Sequence, residues 1–308
     1  MFCILALIVF SILGIFSVTH RPLAKEALDC VFRRITLRPC NTGFKEKIKS
    51  KILVKLLNRS TFIARIFNQH FELLSWIFVI LMIGSTFWVI KGGYNYYFYG
   101  SCNGLNKSGF CAFDPKGDNN KITGINAQCG IKEVLEKNVS LNNVDLSTSP
   151  TKNVGSKNTV VFIGCYECDY SRKAYQDIQK LVKERKTNYI FAHYPAKENT
   201  NYLSEVGYCV FKEYNDKFWL FNDYLFTVDK AKSFEQEHIE IILKNFGFDV
   251  DKINKCIDSQ ETKNIVEKQL VELKKTNLYG TPTVFINGQS LVGPKPYRVY
   301  DWEIIKPW

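Results

Sequence analysis

The chain has 308 residues, 46% of them apolar and 14% aromatic, and a formal charge of +11. That length leaves room for one ordinary domain of about 150 to 200 residues and something more. Residues 19–72 hold 12 Lys/Arg against 4 Asp/Glu, while the rest of the chain holds 29 basic and 26 acidic residues, so the charge is a local excess and no nucleic-acid partner is expected.

In chain order, residues 2–18 are a run of 17 uncharged residues and residues 73–90 a run of 18. As helices each would span roughly 26 Å, slightly less than a hydrocarbon core of about 30 Å. Trp76 and Trp88 stand at the ends of the second run, and Tyr94, Tyr96, Tyr97, Phe98 and Tyr99 follow it as an interface belt does. Both runs are predicted to be transmembrane helices, forming a two-helix hairpin in contact with lipid. No basic residue precedes Phe2 and the positive charge lies on the far flank, so the first run reads as a retained anchor rather than a cleaved signal. The positive-inside rule then makes residues 19–72 a cytoplasmic loop and puts everything after residue 90 outside. In that loop Ile48, Ile52, Leu56, Ile63 and Phe67 share one helical face among basic neighbours. This fits an amphipathic helix lying on an anionic leaflet, or a helix packed on a partner's loops.

Cysteine usage agrees with that topology. Cys102, Cys111, Cys129, Cys165, Cys168, Cys209 and Cys256 all fall on the outer side, where disulfides persist, whereas Cys3, Cys30 and Cys40 are expected to be reduced. Residues 91–141 read as a cysteine-containing extracytoplasmic spacer dominated by loops. Eight residues separate Cys102 from Cys111, a comfortable loop for one staple, with Cys129 as a competing partner. No adjacent C-x-x-C or His completes a zinc site, and no metal is expected. A short helix is expected over residues 132–138 and irregular structure over 142–156. Asn106-Lys107-Ser108 and Asn138-Val139-Ser140 match the glycosylation sequon.

From residue 142 the pattern is mixed α/β. Residues 159–163 are a short apolar run, and Tyr170, Ala174, Ile178 and Leu181 then recur at helical spacing. Between them lies Cys165-Tyr166-Glu167-Cys168. A C-x-x-C at a strand-to-helix junction suits redox chemistry, because the helix N-terminus stabilises a thiolate on Cys165 and Cys168 is close enough to close a disulfide. A second strand is expected over 189–194, a helical region over about 199–277, a hairpin at Thr283–Ile286 and Gln289–Val292 turned by Asn287-Gly288, and a last helix at Tyr297–Ile305. Cys209 and Cys256 both lie in the helical region, either as a disulfide or as two small buried apolar residues. His193 reads as a packed strand residue, since thiol exchange needs no base.

Residues 142–305 resemble the DsbA family of thioredoxin-fold thiol oxidoreductases. The resemblance is carried by the lead-in from Val144-Asp145-Leu146 to Thr159-Val160-Val161-Phe162, by the C-x-x-C, by Lys217-Phe218-Trp219 and Cys256 in the helical insertion, and by Gly280-Thr281-Pro282-Thr283-Val284-Phe285-Ile286-Asn287-Gly288. It implies an α/β thioredoxin fold with a helical insertion in residues 142–308, preceded by the membrane hairpin. It implies a cis Thr281-Pro282 bond beside the active disulfide, with an open backbone edge and the Thr281 amide facing Cys165. Cys165 is then the nucleophile and Cys168 the resolving thiol. The dipeptide Tyr166-Glu167 departs from the Pro-His usual in strong oxidases. A carboxylate there opposes the thiolate and weakens the oxidant. The expected activity is disulfide formation in reduced or misoxidised exported proteins, without a cofactor, with reoxidation by a quinone-linked membrane partner of the DsbB or vitamin K epoxide reductase type. The rivals are a reductase or isomerase fed by a transmembrane donor, and a non-catalytic peptide-binding assembly factor.

Overall fold

The computed structural model describes residues 21–36, 38, 43–58, 60–107, 109–124, 138–196, 200–229 and 234–307, and the isolated positions 7, 9 and 11. The first apolar run therefore lies almost wholly outside the described residues. So do Cys3, Cys40, Cys129 and the helix expected over 132–138. The chain divides into two units, Met1–Ile90 and Lys91–Trp308.

The first unit holds helices α1 (Arg21–Ile35), α2 (Gly43–Leu57), α3 (Thr61–Gln69) and most of α4 (Phe71–Tyr99). Where a single amphipathic helix is expected over residues 48–67 there are two, α2 ending at Leu57 and α3 beginning at Thr61. Among the described residues, α4 is the one helix long and apolar enough to cross a membrane. Its Trp76, Ile80, Leu81 and Trp88 are each more than half exposed. Cys30 is disulfide-bonded, which corrects the expectation of a reduced thiol.

The spacer was expected to begin soon after residue 90, yet α4 continues for two further turns. In the second unit the Arg298 guanidinium donates to the carbonyl oxygens of Tyr96 and Tyr97, both at 3.1 Å, placing a cation on the helix C-terminus. The Phe98 and Trp302 rings lie 4.6 Å apart. These contacts hold helical turns that sequence alone assigned to a membrane interface.

Among the described residues seven short strands follow: β1 (Thr123–Gly124), β2 (Thr151–Lys152), β3 (Thr159–Gly164), β4 (Asn188–His193), β5 (Gly280–Thr281), β6 (Thr283–Ile286) and β7 (Gln289–Val292). Five make one sheet in the order β2-β4-β3-β6-β7, with β3 and β4 parallel and the other pairs antiparallel. β3 is central and apolar on both faces. Val160 and Phe162 enter one buried cluster, Val161 and Ile163 the other, as the two-residue period of a strand requires. Helix α5 (Asp169–Arg185) buries Ala174, Ile178 and Leu181 against the first cluster. The insertion helices α6 (Asn201–Glu213), α7 (Asn215–Thr227), α8 (Gln236–Asn245) and α9 (Val250–Asp258) share that cluster, whereas α10 (Gln260–Lys275) sends Leu273 into the other. Helix α11 (Tyr297–Ile305) closes the chain.

The hairpin falls where Asn287-Gly288 predicts it. Both turn residues have positive φ, +49° and +86°, the backbone that Asn and Gly tolerate best. The Asn287 carboxamide oxygen also accepts the Thr159 amide at 3.0 Å, tying the turn to the start of β3. β2 lies inside the stretch expected to be irregular, where it adds an edge to the sheet.

Cys102 is bonded to Cys111, and Cys209 to Cys256. The spacer is loop but not loose. Asn106 donates to the Ser290 carbonyl oxygen and accepts from the Val292 amide, both at 2.8 Å, so the first sequon asparagine is held against β7 rather than offered to a glycosylating enzyme. The Cys209–Cys256 bond joins α6 to α9 across 47 residues of chain. Replacing both cysteines by Ala is expected to lower the unfolding free energy by about 4 kcal/mol on the chain-entropy account. Urea unfolding of the full chain in detergent measures this, and a loss below about 1 kcal/mol would mean that packing alone holds the insertion.

Candidate active site

β3 ends at Gly164 and α5 begins at Asp169, so Cys165-Tyr166-Glu167-Cys168 is the whole strand-to-helix turn. The Cys165 amide donates to the Ser171 hydroxyl at 3.2 Å, the Cys168 amide to the Cys165 carbonyl at 3.2 Å, and the Arg172 amide to the Cys168 carbonyl at 3.0 Å. Cys168 thus caps α5, where the unpaired amides and the helix dipole favour negative charge. The pair is present as the dithiol. Cys165 is 0% exposed and Cys168 1%.

That enclosure overturns the expectation of an activated thiolate in this conformation. Burial pushes the Cys165 thiol well above its ordinary range, and the hydrogen bond and charge of Cys168 push it further the same way. The backbone amides of Glu167 and Ala196 pull it down without prevailing. The expected cause, the Glu167 carboxylate, is therefore replaced by desolvation. Glu167 acts on the sulfur through its main-chain N–H, which favours the thiolate.

Tyr166, marked in the sequence only as a departure from Pro-His, is a core residue. It is wholly buried, and its hydroxyl donates to the Asn222 carboxamide oxygen at 2.8 Å. Asn222 donates in turn to the Tyr175 hydroxyl at 2.8 Å, and Tyr175 donates to the Asp223 carboxylate. The Tyr166 ring stacks on His193 at 4.6 Å and tilts against Phe226 at 4.8 Å. The residue between the cysteines thus anchors the turn in the core instead of meeting solvent. Arg172 clamps the same turn from outside, donating to the carbonyl oxygens of Tyr166 at 3.1 Å, Leu225 at 2.8 Å and Val228. Its charge sits at the C-terminal end of α7, as the helix dipole favours.

The Thr281–Pro282 bond is cis. The β3–β6 register ends with Ile163 opposite Thr283, so the cis-proline immediately precedes the strand end that pairs with the one leading into Gly164 and Cys165. The edge expected to be open is not: β1 pairs with β5, Thr123 opposite Thr281 and Gly124 opposite Gly280. The amides of Glu167 and Ala196 act on the Cys165 sulfur.

Sequence reasoning missed Ser171, Arg172 and residues 119–124. Ser171 and Arg172 sit six and seven residues beyond Cys165, a spacing that places them one turn into the helix facing the motif. Residues 119–124 gave no signal in a stretch read as spacer.

Residues 150–303, half of the chain, match the thioredoxin family. The chain belongs to that family. Two curated relatives are each a probable disulfide bond formation protein D. The one from Bacillus anthracis is 26% identical over 146 residues, covering 44% of this chain and 67% of the relative. The one from Bacillus cereus is 25% identical with the same coverage. Among solved structures, the thiol-disulfide exchange protein alpha-DsbA2 from Wolbachia pipientis is 22% identical with a TM-score of 0.46, covering 51% of this chain and 86% of that one. Oxidised BdbD from Bacillus subtilis is 22% identical with a TM-score of 0.45, covering 52% and 91%. This thioredoxin-family chain is a thiol–disulfide oxidoreductase.

His193 stands in β4 beside the motif, its Nδ1 2.7 Å from the Ser204 hydroxyl. The ring is stacked on Tyr166, its Nε2 is buried, and burial pushes the imidazole down to about 3. A group neutral in the folded state and basic in the unfolded one favours folding above about pH 6.5 and loses that stability as pH falls toward 3. The wild type should therefore lose up to about 1.4 kcal/mol per pH unit more than His193→Asn between about pH 6 and pH 4. Urea midpoints at the two pH values check this; equal losses would contradict it.

Proposed function

We infer that this chain is a membrane-anchored oxidoreductase that introduces disulfides into exported proteins through Cys165 and Cys168. The observation that carries the reading is the C-x-x-C at the head of α5, level with the cis-proline of a neighbouring strand. In the disulfide form a substrate thiolate attacks Cys165, a mixed disulfide forms and Cys168 leaves as a thiolate. A second substrate thiolate then attacks the substrate sulfur of that bond. Cys165 departs, the substrate gains a disulfide, and the enzyme is left as the dithiol with two electrons to pass on. The acceptor is a quinone-linked membrane protein of the DsbB or vitamin K epoxide reductase type.

The domain plan is a span at residues 2–18, a basic loop at 19–72, a span at 73–90 within α4, a packed spacer at 91–141 and the catalytic domain at 142–308. The basic loop argues for an outer catalytic domain, and so do the two disulfides after α4. The Cys30 disulfide pulls the other way, since a cytoplasmic loop would not keep it. Two disulfides and a charge excess outweigh one. Thiol labelling of sealed membranes with an impermeant reagent tests the side: Cys165, once reduced, should react only from outside.

A reductase or isomerase is the second reading. It is favoured by the burial that keeps Cys165 protonated, because a poorly stabilised thiolate makes a poor oxidant. A non-catalytic peptide grip is the third, since the edge beside Pro282 already holds an extended segment. The oxidised full chain mixed with a reduced two-cysteine peptide separates these. The expected result is one peptide disulfide per enzyme reduced, and none with Cys165→Ser. Peptide binding undiminished by Cys165→Ser and without any oxidation would favour the grip. Alkylation trapping in cells separates the first two readings: a pair found mostly as disulfide marks an oxidase, and one found mostly as dithiol a reductase or isomerase.

A further inference from the structure

Residues 119–124 lie along the edge that the proposed function assigns to substrate. Thr123 pairs with Thr281, the residue before Pro282, and Gly124 with Gly280. Ile122 and Thr123 are each 2% exposed, and Ile122 belongs to the same buried cluster as Cys165, Cys168, Leu278 and Tyr279.

The fit is built at both ends. A Cβ on residue 280 would lie 2.6 Å from Ile122 Cδ1 and 2.7 Å from the Thr123 carbonyl oxygen, so only glycine lets the segment approach this closely. A Cβ on Gly293 would meet the Asn120 backbone at 2.9 Å. The buried Lys295 amine donates to the Asn119 carbonyl oxygen at 3.1 Å and to the Asn120 side chain. Asp114 accepts the amides of Asp118 and Asn119, both at 3.0 Å, which fixes the turn from which the segment emerges.

What is held there has the form of a bound peptide: an extended backbone added antiparallel to an exposed strand edge, with one aliphatic side chain sunk beside the dithiol. Thr123 pairs with the residue before the cis-proline, and Ile122 enters the cluster that holds Cys165 and Cys168, so the segment takes the place an extended substrate would take, and it has no sulfur to exchange. The attachment is also weak where it matters. The ladder is two residues long, and so short a pairing opens locally at little cost compared with the central strands.

We propose that residues 119–124 are a pseudosubstrate strap, which holds the peptide edge at Gly280–Thr281 closed and which an extended cysteine-containing peptide must displace to reach Cys165. This rests on that edge being the substrate edge. The strap explains why both thiols are enclosed in an enzyme whose work requires them to be met, and it confers a preference: a peptide with an aliphatic residue where Ile122 lies, and a small one where Gly124 lies, competes best.

The test uses the full chain in detergent, with the Cys165–Cys168 pair reduced. Gly280→Ala, which the strap alone forbids, and Ile122→Asp, which places a charge in the buried cluster, should each raise the rate of iodoacetamide alkylation at Cys165 by about tenfold or more, as expected when a closed state gives way to an open one. Rates within about twofold of wild type, in variants that keep its melting temperature, would overturn the proposal. If the variants do not fold, hydrogen exchange on Cys168→Ala decides instead. A mixed disulfide, formed when the Cys165 thiolate attacks the disulfide form of the two-cysteine peptide and releases its second sulfur as a thiolate, should expose the amides of residues 122–124 to exchange. A mixed disulfide that leaves them protected overturns the strap and leaves the oxidoreductase reading standing. Failure to form any mixed disulfide counts against the oxidoreductase reading itself, and exchange in the peptide-free Cys168→Ala chain then decides the strap: the amides of residues 122–124 should exchange well ahead of those of β3, and equal protection overturns it.

Discussion

The site depends on the antiparallel pairing of β3 with β6. β3 carries the first cysteine at its end and β6 carries the cis-proline at its start, and the register that sets Ile163 opposite Thr283 makes the two ends coincide. Because side chains alternate along a strand, a slip of one residue would turn Val160 and Phe162 out of their cluster and Val161 and Ile163 out of theirs. The core on both faces of the sheet therefore fixes the position of the sulfur relative to the proline. Asn287 adds a second lock, since the hairpin turn that ends β6 also holds the first residue of β3.

On that frame, two opposed effects decide the state of Cys165. Backbone amides at the turn favour the thiolate, as does the start of α5. Burial opposes it, and with both cysteines enclosed burial wins. The same enclosure is not a property of the thioredoxin frame alone. Residues 119–124 come from the spacer, outside the matched family region, and they cover the edge beside Pro282. Under the strap proposal, reactivity in this protein is set by a segment that lies before the domain in sequence and pairs with its β5 edge in space. The spacer that joins α4 to the domain also carries the cover.

The elements that sequence reasoning found were those with local signals. The hairpin at Asn287-Gly288, the apolar β3, the terminal helix and the C-x-x-C each announce themselves within ten residues. The elements it misplaced depend on distant partners. Helix α4 runs on to Tyr99 because Arg298, about 200 residues away, caps it. Tyr166 carries no local sign of its place, which Asn222 and Phe226 of the insertion fix by enclosing it. Strand β1 is two residues long and has neither alternation nor a run to mark it; only its pairing with Gly280 and Thr281 makes it a strand. Glu167 shows a different kind of error. Its charge was read as the controlling term, whereas in the fold the desolvation of the neighbouring sulfur is larger.

The central claim is that Cys165 and Cys168 cycle between dithiol and disulfide with a potential set more by burial than by a stabilised thiolate. Equilibration of the full chain with graded mixtures of reduced and oxidised glutathione, followed by mass analysis of the peptide that holds both cysteines, tests it most directly. The account predicts a reversible two-electron transition of that pair alone, at a potential clearly below about −120 mV, the value of a strongly oxidising member of this class. A midpoint at or above that value, or no Cys165–Cys168 bond at any ratio, would contradict it.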